Sequence, residues 1–134
     1  MSQEPRMRVG RRFFYVSSLL ARALPFWREF SLRDYQVRPE DPTTGWFKLV
    51  LRFNNAVIYV FEFLSGGVIL KYAYTLLIGS EVVLRYDNAP HHRDLPTFPH
   101  HKHVRGEIRP LERSSIEEFV KEVKPLVLKA RKGP

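Results

Sequence analysis

Between Trp46 and Tyr86 the alternation of side chains leaves an antiparallel meander as the natural fold. Phe47, Leu49, Leu51 and Phe53 alternate with Trp46, Lys48, Val50 and Arg52, the period of two that gives a strand one apolar face. Asn54-Asn55 comes next, and asparagine tolerates the positive φ of a tight hairpin. The return strand, residues 56–64, sets Val57, Tyr59, Phe61 and Phe63 on one face and Ile58, Val60, Glu62 and Leu64 on the other. Ser65-Gly66-Gly67 turns the chain into a third strand over 68–78, and Gly79-Ser80 turns it into a fourth over 81–86. Connections this short make consecutive strands antiparallel neighbours. Glu62 and Lys71 are charges set among apolar neighbours. They belong either to a water-facing side of the sheet or beside Arg85, beneath the segment that follows.

The flanks supply helices and further strands. Residues 12–24 place Phe13, Val16, Leu20 and Ala23 on one side and stop at Pro25, as a helix does. A basic start, a short apolar centre and an Ala-x-Ala ending imitate a secretory signal here, but Arg22 sits inside the would-be cleavage motif and two serines break the apolar run. A cytoplasmic location is the expectation. A strand is predicted over 30–37 and a loop over 39–45. Further on, residues 104–109 have room for a closing strand before Pro110. Ser114-Ser115-Ile116-Glu117-Glu118 reads as a capping box. Ile116, Phe119, Val120, Val123, Leu126 and Val127 then form a stripe that can cover the sheet. Glutamates open this helix and Lys129, Arg131 and Lys132 close it, as the helix dipole favours, with Pro125 expected to kink or split it.

These elements predict a single α+β domain over residues 1–134, an antiparallel β-meander of about four to six strands covered by N-terminal and C-terminal helices, with residues 1–10 a mobile tail. The hydrophobic fraction of 44% and aromatic content of 13% suffice for a packed core. Lys48, Arg52, Glu62, Lys71 and Arg85 interrupt every apolar run before it reaches the ~18 residues of a membrane helix, so no membrane partner is expected.

The chemistry concentrates after the meander. All five histidines fall within residues 91–103, and the stretch echoes itself: Pro90-His91-His92-Arg93 returns as Pro99-His100-His101-Lys102. Its prolines exclude helix and predict a stiff, extended loop. Arg85 and Asp87, on one face of the preceding strand, are carried to the mouth of that loop. Three readings compete. A metal site would use His101 and His103, with His91 or His92 returning across the loop and Asp87 or Asp94 adding a carboxylate. Neighbouring Arg85, Arg93, Lys102 and Arg105 weigh against a dication. Acid–base chemistry would use two imidazoles that exchange protons near neutral pH while Arg and Lys stabilise a pentavalent phosphate. A structural role would make the histidines fasteners that hydrogen-bond Asp87 and Asn88. The absence of cysteine removes disulfides and thiolate metal sites from consideration. The charge of +8 and pI near 10.0 point to a polyanionic partner, nucleic acid being the commonest.

Tyr86-Asp87-Asn88-Ala89-Pro90-His91-His92, followed by Thr97-Phe98-Pro99-His100-His101-Lys102-His103, resembles the signature of the TumE family, toxin halves of prokaryotic toxin–antitoxin pairs. The resemblance implies a growth-inhibiting RNA interferase neutralised by an antitoxin that usually carries a helix-turn-helix. Which residues act is read from chemistry. His92, His101 and His103, with Arg85 and Asp87, are the candidate catalytic set, and His91, Arg93, His100, Lys102 and Arg105 the candidate RNA contacts. The preferred scheme needs no cofactor, with a divalent metal on the same loop as the alternative. A binding protein without catalysis is the other reading, and a homo-oligomer is compatible with either. If the positive charge is a phosphate footprint, RNA affinity falls at least about tenfold between roughly 50 and 200 mM salt. Titrations of a fluorescent RNA at several ionic strengths measure this, and a flat response rejects the footprint.

Overall fold

The computed structural model describes residues 5–25, 27–113 and 115–131. Along these the chain forms α1 (Val9–Ala23), β1 (Glu29–Arg38), β2 (Asp41–Phe53), β3 (Ala56–Ser65), β4 (Val68–Ile78), β5 (Glu81–Asp87), β6 (His101–Val104), β7 (Glu107–Pro110) and α2 (Ile116–Arg131). The strands pair in sequence order, each antiparallel to the next, in one seven-stranded sheet. Two-residue turns join all neighbouring strands except β5 and β6, which pair across the longer loop of residues 88–100.

The strand count exceeds the expected range because the single closing strand predicted at 104–109 is a hairpin. Its turn is Arg105-Gly106, where φ is 48° and 85°, the two-residue geometry that matches strand twist. At the other end, the loop expected over 39–45 contracts to a turn at residues 39–40. There the Asp41 carboxylate accepts from the Thr43 amide at 3.0 Å and the Thr44 hydroxyl at 2.6 Å, so polar residues that suggest a loop instead anchor the start of β2.

Both helices cover one face of the sheet. Val16 and Leu20 of α1, with Phe119 and Val123 of α2, pack against Phe47, Leu49, Ile58, Val60, Tyr74 and Leu84. The helix predicted from residue 12 begins at Val9, whose side chain is fully buried. Residues 9–10 of the expected mobile tail are thus core-anchored, and residues 1–4 lie outside the described residues. Ser115 Oγ accepts from the Glu118 amide at 3.0 Å, which is the predicted cap; Ser114 and Lys132 lie outside the described residues. The expected break at Pro125 does not occur, and α2 runs through it. Pro125 and Lys121, whose carbonyl loses its helical donor, are both exposed, where water can take the bond's place.

Glu62 corrects the idea of a solvated sheet face. It points under the helices with no exposure, taking Arg12 Nε at 2.7 Å and Nη2 at 2.9 Å, and it also accepts from the Tyr74 hydroxyl. Lys71 lies on the opposite, open face with Arg85. Bidentate pairing and the tyrosine offset the desolvation of the carboxylate. Removing only the cation leaves that charge uncompensated, so Arg12→Ala is expected to cost about 3–5 kcal/mol. The double change Arg12→Leu, Glu62→Leu recovers most of it. Urea unfolding of the single and double variants checks the pair.

Candidate functional site

The open face of the sheet carries the candidate chemistry, at the edge where β5 meets β6. Pairing sets Asp87 opposite His101 and Arg85 opposite His103, with Tyr86 opposite Lys102 between them, so four functional side chains occupy two neighbouring positions of one sheet face. His101 and His103 share a face because β6 is extended, and the strand begins at His101, three residues before its predicted start. His92 arrives from the loop. Its ring centroid lies 4.7 Å from that of His101 and 5.8 Å from that of His103, and the latter two are 4.9 Å apart.

Asp87 is the anchor of this group and is 4% exposed. Its carboxylate accepts from Arg85 Nε at 2.9 Å and from the Ala89 amide at 2.9 Å, with His101 Nε2 at 3.0 Å and His103 Nε2 at 3.6 Å. Arg85 is held a second time, donating through Nη1 to Thr75 Oγ1 at 3.0 Å, so its fork is fixed while part of the side chain stays accessible. His101 is buried, and its Nδ1 lies 2.9 Å from the Pro99 carbonyl. Nε2 lies 3.0 Å from the Asp87 carboxylate, so each ring nitrogen faces an oxygen to which it can donate. His103 keeps 28% of its side-chain exposure. Burial pushes its pKa below the usual imidazole value; Asp87 opposes this, and His101, His92 and Arg85 reinforce it. The ring is thereby biased toward the neutral form, which can accept a proton.

The loop that delivers His92 is a succession of turns rather than an extended segment. The amides of His91, Leu95, Phe98 and His100 bond to the carbonyls of Ala89, His92, Leu95 and Thr97, and the Phe98–Pro99 peptide is cis. Asn88 and Thr97 pin its ends. Asn88 Oδ1 accepts from the Tyr72 amide and its Nδ2 donates to the Leu70 carbonyl, while Thr97 Oγ1 donates to the His100 carbonyl and accepts from the Leu111 amide. These two side chains share the fastening with histidines: His101 meets Asp87, as the structural reading expects, and His100 meets the Tyr72 hydroxyl, while Asn88 bonds β4. In the echoed Pro-His-His motif, the second histidines, His92 and His101, meet, and the first ones do not.

The expected RNA contacts divide. His91 and Arg93 are exposed on the loop, and Arg105 is exposed at the β6–β7 turn with Glu81 at 3.3 Å. His100 stacks on Tyr72, ring centroids 5.7 Å apart, with the tyrosine hydroxyl 2.9 Å from Nδ1; burial, then the neighbouring His101, lowers its pKa. Lys102 reaches Glu122 of α2 at 3.1 Å and lies over the Tyr86 ring. His100 and Lys102 thus serve the helix-covered side. Sequence reasoning missed Thr75 and the Pro99 carbonyl, which orient Arg85 and His101. No local signal marks either, since Thr75 meets Arg85 only through the β4–β5 register.

No described helix is long and apolar enough to cross a membrane. Comparison with curated proteins and with solved structures returns no significant match. Across residues 20–128 the chain matches the family model described as Toxin TumE. That span holds the sheet, the imidazole cluster and most of α2. By a match over most of its length, the chain belongs to the TumE toxin family, the toxin side of toxin–antitoxin systems, with a cognate antitoxin as its partner.

Proposed function

We propose that this toxin is an endoribonuclease that cleaves RNA by metal-independent acid–base chemistry at His92 and His103. The carrying observation is a cluster of three imidazoles, two of them against one carboxylate and the third, His92, packed on both of those rings, beside a doubly anchored guanidinium. One imidazole takes the proton of a ribose 2′-hydroxyl, whose oxygen attacks the adjacent phosphorus. The bond from phosphorus to the 5′-oxygen breaks, and the other imidazole protonates that oxygen, leaving a 2′,3′-cyclic phosphate and a 5′-hydroxyl. His103, biased neutral by burial, suits the base, and His92 the acid. Arg85 offers the phosphorane a fixed fork. His101 is 1% exposed and so positions its neighbours, which leaves the two reacting roles of the candidate set to His92 and His103. The antitoxin is inferred to be of the helix-turn-helix kind that the family resemblance implies, with cytoplasmic RNA as the substrate.

A specific observation favours a second reading. One nitrogen from each of His92, His101 and His103 lies within 4.8 Å of the others, close enough to converge on a divalent ion with modest movement. Arg85 against Asp87 makes that carboxylate a poorer ligand and adds positive charge where a dication would sit, so the acid–base scheme stands first.

His92→Ala and His103→Ala are each expected to lower single-turnover cleavage by about 10²-fold or more, with RNA affinity little changed. Near-normal cleavage in either variant removes that ring from the mechanism. Activity is also expected to survive EDTA. Loss on chelation with recovery on adding Mn or Zn replaces the acid–base scheme with the metal one, and affinity without any cleavage leaves only a binding protein.

A further inference from the structure

The same open face carries a groove that the cleavage scheme does not use. It has a volume of about 1140 Å³ and runs across β1 to β5. Its floor is aromatic: Trp46, Tyr59, Phe61 and Phe63 all project from the side that the helices leave uncovered, and Tyr59 is 40% exposed. Outward-facing sites of a half-covered sheet are ordinarily polar, so a row of rings there marks a binding surface. The charges are one-sided. Arg33, Lys48, Arg52, Lys71 and Arg85 line the groove, against Asp34, whose carboxylate accepts from Trp46 Nε1 at 2.8 Å. Glu29 at the rim stands 3.8 Å from both Arg33 and Arg52; nearer the cluster the cations are Lys48, Lys71 and Arg85, which stays 41% accessible while bonded to Asp87. Lys48 Nζ lies 5.6 Å above the Phe61 ring. The groove ends at Arg85, the residue that grips Asp87 and faces His103 across the β5–β6 pairing.

We infer that this groove binds single-stranded RNA and leads it to the imidazole cluster, with bases stacked on Tyr59, Phe61 and Phe63 and phosphates met by Lys48, Lys71 and Arg85. Rings at successive rungs of a sheet give stacking platforms that accept any base, because every base has a π face. A duplex hides those faces and is read by its backbone shape, so paired RNA has nothing to place on the aromatic floor. The cationic lining selects a polyanionic strand over an apolar protein segment. The inference rests on the ribonuclease reading for its direction toward the cluster and adds the form of the substrate.

The test uses the full chain and a short 2′-O-methyl RNA, which lacks the attacking hydroxyl and cannot be cut, compared with the same sequence annealed to its complement. Tyr59→Leu and Phe61→Leu are each expected to weaken binding of the single strand about tenfold, within the range for loss of one stacking ring. Tyr59→Phe keeps the ring and is expected to bind as the parent does. Lys48→Gln, at an exposed position, is expected to reduce the salt slope by about one. With cleavable RNA, the leucine variants raise KM and leave kcat unchanged. Parent-like affinity in folded leucine variants, or a duplex bound as tightly as the strand, overturns the inference, as does finding that the antitoxin and not RNA occupies the groove. Ring-dependent binding without cleavage sinks the ribonuclease reading and leaves the groove assigned. Cleavage with an unchanged KM in the leucine variants sinks the groove and leaves the ribonuclease.

Discussion

The pairing of β5 with β6 is the constraint on which the candidate site depends. It sets Asp87 against His101 and Arg85 against His103. A slip of one residue would send both histidines to the helix side and bring His100 and Lys102 to the open face. Several bonds oppose that slip. The Arg105 amide donates to the Val83 carbonyl at 3.1 Å, Asn88 extends the attachment of the chain to β4, and the Arg105-Gly106 turn fixes where β7 begins. Lys102, on the other face of the same strand, reaches Glu122, which also accepts from the Tyr86 hydroxyl. Contacts on the covered side thus hold the strand that displays the imidazoles on the open side.

The two faces of the sheet do different work. The covered face is aliphatic and aromatic, and its buried charge, Glu62, is neutralised by Arg12 of α1. This ion pair ties the N-terminal helix to the middle of β3, so α1 is both a cover and a counterion. The open face holds its charges within reach of water: Arg85 remains 41% accessible while bonded to Asp87. Asp87 is buried by its neighbours, and four donors or imidazoles surround it. A carboxylate so surrounded is a fixed acceptor around which rings can be oriented.

The alternation along residues 46–86 determined the meander by itself, because period-two apolarity and two-residue turns leave one way to pair consecutive strands. The stripe Ile116, Phe119, Val120, Val123 and Val127 likewise determined that a helix would cover the sheet, and all five are buried. The placement of His101 and His103 on one face, with Lys102 opposite, followed from extended geometry alone. Three matters were decided only by tertiary structure. Glu62 looks the same in sequence whether it faces water or Arg12, since a partner 50 residues away leaves no local trace. The loop prolines announce stiffness but not direction, and hydrogen bonds across its turns brought His92 rather than His91 to the cluster. Burial, finally, separated His101 from His103: both stand on the same strand, and only the packing around it made one a positioning residue and left the other partly open to solvent.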